Sequence, residues 1–244
     1  MVGFRRIALY GEVMDYLAVL RAKLAEFGAL IDGPLDLSTR VPGCGDWTFY
    51  DLADHLGNGN LWVAVGVREG RGDHHGEPAP REVDRLRGWF DDTAEALVAA
   101  LSTDPRTPAW TFTSQMPRTV GFWQRRRMHE TLMHLWDGQD ALGRAASFEP
   151  ELAADGIAEV FELYAPRMIK HGAAAAPDTA IRIHASDTGG DWIYGPGEPS
   201  AELSGPAADL LLGLWGRRSL SDPVLGWSGD RVAGERALSG PLVP

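Results

Sequence analysis

Apolar residues recur at three-and-four spacing through most of the chain, and the breaks between these runs fall on Gly and Pro. Leu17, Leu20, Leu24, Phe27 and Ile31 share one face of a helix predicted over about 5–31, with Gly33-Pro34 ending it. The breaker-rich stretch 39–47 reads as a loop. Thr48 followed by Asp51 then resembles a capping-box start, and a second helix follows to about Arg68. A polar loop, 69–80, separates it from a third helix at about 81–101. A Pro-containing segment (104–118) leads to a fourth at about 120–142, closed by Gly143, and a fifth runs from about Pro150 to His171. Five helices joined by breaker-rich loops predict an up-down helix bundle.

The pattern changes at 172–177, Gly-Ala-Ala-Ala-Ala-Pro, which reads as a linker. Beyond it, Ala180–Ala185 alternates apolar and polar like a half-buried strand. Asp187–Gly190 is a turn, Trp192–Tyr194 a second strand, and 204–216 a short helix with Pro206 close to its start. The expected fold is α plus α+β, with a helix bundle over 1–172 and a small α+β domain over 178–244.

Composition narrows the class. The 244 residues are 44% hydrophobic and 23% charged, as in an ordinary globular protein. The net charge of −11 argues against nucleic acid, which demands a basic face. The opening MVGFRRIALYGEVMDYL lacks an uninterrupted apolar core and a small-residue cleavage site, so no secretory leader is expected. Without a run of 18 apolar residues, no membrane span is expected either. The single cysteine, Cys44, excludes an internal disulfide and suits a cytoplasmic location. A monomer or small homo-oligomer is expected.

The chemistry concentrates in the fourth helix, Arg125-Arg-Arg-Met-His129-Glu130-Thr-Leu-Met-His134-Leu-Trp-Asp137. Glu130 and His134, four apart, lie one turn apart on one face, where both can reach a single ion. His129 and His134 are five apart and point roughly 140° away from each other, so they do not form the two-histidine pair of a zincin. The candidate third ligand is His55, mid-helix among Leu52, Leu56 and Trp62. Three protein ligands with open positions are the pattern of a catalytic metal.

The segment from Val41 to Gly57 resembles the "P-x-C-x-x-W-T-x-x-D-L-x-x-H-L-G" signature of the mycothiol-dependent maleylpyruvate isomerase family, a group of DinB-like metal-binding helix bundles. Residues 127–137 resemble its "R-x-x-E-x-x-x-H-x-x-D" signature, and 203–218 its C-terminal domain. The resemblance implies a divalent metal, with zinc expected, held by His55, Glu130 and His134. It also implies mycothiol as cosubstrate, its thiolate favoured by the cation. The reaction class is isomerisation or S-transfer on a small, anionic, electrophilic substrate. Asp137 is placed to fix the tautomer of His134. Arg127 is a candidate to pair with Glu130 or bind the substrate, and Arg217 or Arg218 to clamp a carboxylate, although helix-face and helix-end salt links account equally for these residues.

Trp62 and Trp123, with Trp47 and Trp136, are candidates to wall the pocket around metal and thiol, or else are core residues. Cys44 is read as a loop residue, not a nucleophile. His74, His75, His171 and His184 have no partner in the pattern. The mid-helix glycines Gly57 and Gly59 mark a close helix approach or a reshaped pocket. Two rival readings stand beside the thiol enzyme. One is a non-catalytic metal-binding regulatory protein. The other is a metal-dependent hydrolase, with Asp51, Asp54 or Asp137 as the base.

Overall fold

The computed structural model describes residues 4–7 (backbone), 14–32 and 35–244. The helix stop expected at Gly33-Pro34 lies outside the described residues. The chain forms two compact units, Val13–Ala146 and Met1–Glu12 together with Ser147–Pro244.

The first unit is a four-helix bundle of α1 (Tyr16–Leu30), α2 (Phe49–Glu69), α3 (Val83–Leu101) and α4 (Val120–Ala141). Helices α1 and α2 each pack against both α3 and α4. Arg21, early in α1, donates to the Ser102 hydroxyl just past α3, so α1 and α3 are antiparallel. Asn60–Thr93 and Arg68–Ala96 hydrogen bonds advance together, so α2 and α3 are parallel. Gly138, late in α4, faces Leu30 at the end of α1 and Phe49 at the start of α2. The helices therefore run up, down, down, up.

Two parallel, sequence-adjacent helices require a return connection. Helix α2 has 21 residues, about 31 Å at 1.5 Å per residue, and the loop 70–82 runs back along it. Side chains of α2 fasten the loop's backbone. Trp62 Nε1 donates to Gly72 O (2.9 Å), Asn58 Nδ2 to Glu77 O (3.2 Å) and Tyr50 Oη to Ala79 O (2.8 Å). Asp54 Oδ1 accepts the Ala79 N–H at 2.7 Å.

The capping box at the start of α2 is present. Thr48 Oγ1 accepts from Asp51 N, and Asp51 Oδ2 accepts from Thr48 N at 2.8 Å. Gly57 and Gly59 mark a close approach, as their positions suggested. A Cβ on Gly57 would stand 2.4 Å from the Trp89 ring, and one on Gly59 would stand 2.8 Å from Arg127 Nη1.

The second unit holds a five-stranded sheet in the order β1-β3-β2-β4-β5, with β1 Phe4–Ile7, β2 Ala180–Ala185, β3 Gly190–Tyr194, β4 Pro199–Gly205 and β5 Gly226–Gly229. All pairings are antiparallel except β2 with β4. Residues 4–7, expected in the first helix, instead pair with β3, Phe4 opposite Tyr194 and Ile7 opposite Asp191. A four-residue strand has too little periodicity to reveal itself, and its partner is remote in sequence. The strands β4 and β5 were not foreseen, and the helix expected at 204–216 is α7, Ala207–Leu214.

The fifth helix is present as α5 (Pro150–Glu159), a π-helical turn (Val160–Tyr164) and α6 (Ala165–Lys170). Helix α5 packs on α7, Phe161 stacks on Tyr194 (4.9 Å between centroids), and Tyr164 meets Trp215 edge-on. These contacts bury its apolar face within the sheet-bearing unit. That unit therefore begins at Ser147, ahead of the boundary read from the 172–177 composition change. A further short helix, α8 (Arg231–Ala237), packs on β4 and β2. Among the described residues, no helix is long and apolar enough to cross a membrane.

Candidate metal centre

The antiparallel contact of α2 with α4 brings His55 to Glu130, 75 residues later. His55 Nε2 lies 3.0 Å from Glu130 Oε1, and His134 Nε2 lies 3.4 Å from the same oxygen. The two imidazoles stand edge to face, 5.1 Å between centroids. All three ligand atoms lie within 4.8 Å of one another. Zinc bonds of about 2.0–2.1 Å make a tetrahedral edge of about 3.4 Å, so this donor set fits a divalent ion. The side chains of Glu130 and His134 are 15% and 8% exposed, whereas that of His55 is 40% exposed, so the group is open on its His55 side.

The surroundings set the state of the ligands. His134 Nδ1 lies 2.9 Å from Asp137 Oδ2 and donates to it, which turns Nε2 toward Glu130. Cys44, at the end of a 3₁₀ turn (Pro42–Cys44), donates its thiol to the same Asp137 oxygen at 3.2 Å. Arg126 Nη2 donates to Glu130 Oε2. Burial is the strongest single influence on Glu130 and opposes its charge. The Arg126 charge and hydrogen bonds from His134 and His55 together outweigh it, holding the carboxyl well below 4.5. Burial likewise opposes protonation of His134, but hydrogen bonds with Asp137, Cys44 and Glu130 raise its pKa well above 6.5. Trp47 lies against both imidazoles, 4.8 Å from the His55 ring and 6.1 Å from that of His134.

Several expected roles move. Glu130 pairs with Arg126, one turn before it, whereas Arg127 turns to α2, donating to Leu56 O (3.1 Å) and Asn60 Oδ1 (2.6 Å). Trp62 and Trp123 meet edge-on at 5.4 Å in an aromatic cluster with Trp110 and Phe112, and their N–H groups donate to Gly72 and Trp110 carbonyls. Trp47 lies against the ligand imidazoles. His129 is buried and does not join the His55–Glu130–His134 group.

Arg217, in the other unit, donates to Trp215 O at 2.9 Å and lies over that indole, and Arg218 pairs with Asp209 and Asp222. His184 meets Asp191 at 3.1 Å. The sequence reading missed Arg126, for which the i,i+4 spacing to Glu130 was the available signal. It also missed the contact of Cys44 with Asp137, 93 residues away, for which no local signal existed.

Comparison with known proteins agrees in both units. The model of the mycothiol maleylpyruvate isomerase N-terminal domain matches residues 17–139, and that of the MDMPI C-terminal domain matches 151–241. No curated protein matches the chain. The fold is similar to a crystal structure of the mycothiol-dependent maleylpyruvate isomerase, with a TM-score of 0.63 at 14% identity, covering 88% of this chain and 92% of that one. A histidine-to-alanine mutant of that enzyme gives 0.65 at 13% identity with the same coverage.

Proposed function

The chain belongs to the mycothiol maleylpyruvate isomerase family, and on that premise we propose that it is a metal-dependent enzyme using a low-molecular-weight thiol, mycothiol, to isomerise or thiolate a small anionic electrophile. The observation that carries the reading is the convergence of His55 Nε2, His134 Nε2 and Glu130 Oε1 at one point that is open on one side. Zinc is the expected ion, and when bound it stabilises a thiolate at neutral pH.

The chain's own residues do the rest. His55, Glu130 and His134 hold the ion, and Asp137 keeps His134 in the tautomer that presents Nε2. Trp47 walls one side of the ligand group. In the isomerase reaction the thiolate adds to the activated alkene, and the adjacent carbonyl takes up the electron pair. The new single bond rotates, and the thiolate leaves unchanged, so no atom or proton is gained or lost.

The hydrolase reading needs a free carboxylate base. Asp51 caps α2, Asp54 holds Asn58 and the Ala79 N–H, and Asp137 accepts from His134 and Cys44. These engagements favour the thiol reading.

The test is metal analysis of the wild type beside His55→Ala and Glu130→Ala, followed by titration with mycothiol and an assay on maleylpyruvate. Loss of metal from both variants and a thiol-dependent reaction are expected. Full occupancy in both variants would remove the triad; a bound metal indifferent to thiols would remove the chemistry but keep the site.

A further inference from the structure

The two oxygens of Glu130 are divided between two jobs. Oε1 faces both imidazoles, at 3.0 Å from His55 Nε2 and 3.4 Å from His134 Nε2. Oε2 is turned away and accepts from Arg126. We propose that Arg126 is a positioning residue that holds Glu130 to ligation through one oxygen, and so keeps a coordination position open for the incoming thiolate. The inference rests on the metal reading above and adds to it the device that keeps the site open.

A carboxylate ligates a cation through one oxygen or two, and nothing in the side chain itself selects between these modes. Rotation of Glu130 to two-oxygen ligation would fill a position that a catalytic site must leave free. Arg126 opposes that rotation. It lies one turn before Glu130 on the same rigid helix, so the spacing of the two groups is set by α4 itself. Its side chain is 3% exposed against 15% for Glu130, so water is a poor substitute partner. Withdrawing Oε2 would break a buried, charge-assisted hydrogen bond, which is unfavourable where water cannot replace it.

Arg125 and Arg127 neighbour Arg126 in sequence, but about 100° per residue separates their directions on the helix. Arg127 is directed to Leu56 O and Asn60 on α2. The run of three arginines thus places Arg126 on the far oxygen of the ligand.

The experiment loads the full chain with cobalt(II), whose visible absorption reports coordination number, and titrates it with 2-mercaptoethanol, followed by the thiolate-to-cobalt charge-transfer band. Wild type, Arg126→Gln and Arg126→Lys are compared. A metal-loaded minus metal-free infrared difference spectrum reads the splitting of the carboxylate stretches, which separates one-oxygen from two-oxygen ligation. Wild type is expected to show one-oxygen ligation. Arg126→Gln is expected to shift to two-oxygen ligation and weaker visible bands, and to lose about tenfold in thiol affinity, the scale of outer-sphere effects at metal sites. Arg126→Lys, which returns one donor to Oε2, is expected to recover most of that loss.

Two-oxygen ligation in the wild type would overturn the proposal whether or not the variants fold. An Arg126→Gln variant with wild-type ligation and thiol affinity would overturn it too. A wild type that binds no cobalt would overturn the metal reading itself, and this inference with it; cobalt binding without a thiol band leaves ligation mode, read in the infrared, as the deciding result.

Discussion

Asp137 Oδ2 lies 2.9 Å from His134 Nδ1, and Asp137 is completely buried. A carboxylate can only accept, so Nδ1 carries a proton, and the proton that leaves when a metal binds is the one on Nε2, whose lone pair then faces the Glu130 side. Removing Asp137 frees the ring to take the other tautomer or another orientation. Asp137→Ala is therefore expected to weaken metal binding by about 10–100-fold, the usual cost of losing the partner behind a ligating histidine. Competition against a chelator measures it, and a wild-type affinity would show that the tautomer is held by something else.

Cys44 acts on the same oxygen, at 3.2 Å. Its thiol is a weak neutral donor, worth about 0.5–1.5 kcal/mol as a net hydrogen bond. Cys44→Ala should then weaken metal binding by about tenfold or less, well short of the Asp137 effect. Cys44→Ser, which keeps a donor there, should stay close to wild type. A serine variant as impaired as the alanine variant would mean that sulfur itself is needed.

Charge at the site makes both stability and metal affinity depend on pH. Glu130 has its pKa held well below 4.5, so its contribution to stability is present above that value and is lost as pH falls through the depressed value. His134 has its pKa raised well above 6.5, so its contribution is fully present below 6.5 and is lost as pH rises through the raised value. The metal-free protein should thus melt lower as the solution is taken alkaline. Metal binding needs the Nε2 lone pair of His134, so about one proton should leave on binding at neutral pH. Calorimetry in buffers of different ionisation enthalpy counts that proton. Zero release at neutral pH, or a metal-free melting temperature that rises into the alkaline range, would contradict the charged His134–Glu130 pair.

What the sequence made legible follows the range of the interactions. The α2 capping box and the one-turn spacing of Glu130 and His134 are local, and the structure has the expected geometry at both. His55 was legible because α2 carries it on a helix beside apolar residues, and the order of the signatures paired it with α4. Residues 4–7 were misread because only Asp191–Tyr194 makes them a strand. The 172–177 composition change looked like a domain boundary, yet the burial of Phe161 against Tyr194 places the preceding helix in the sheet-bearing unit. Arg127, three residues before Glu130, was a candidate to pair with that acid or to bind the substrate. Both Arg126 and Arg127 have helical spacing to Glu130, and the contact with it is made by Arg126, four residues before, while Arg127 reaches Leu56 O and Asn60 on α2. Trp62 and Trp123 were read as pocket wall or as core, and the structure gathers them with Trp110 and Phe112 in one aromatic cluster.

The glycines of α2 carry the last prediction, and α3 supplies its control. A methyl group on Gly57 would stand 2.4 Å from two atoms of the Trp89 ring, and one on Gly59 would stand 2.8 Å from Arg127 Nη1. The ring is rigid, and Arg127 is fastened to Leu56 O and Asn60 Oδ1, so neither neighbour yields without disturbing the contacts of α2 with α3 or α4. Overpacking of this kind costs about 1–3 kcal/mol, against a gain of about 1 kcal/mol from replacing a mid-helix glycine by alanine. Gly57→Ala should therefore destabilise the protein on balance. Gly88, exposed in α3, has nothing within 4 Å of its Cβ position, so Gly88→Ala should show the propensity gain alone. Denaturant melts with unchanged m-values compare the two directly. Equal stabilisation by both substitutions would mean that α2 has room for a side chain at Gly57, and that the close approach to Trp89 is not what the glycine serves.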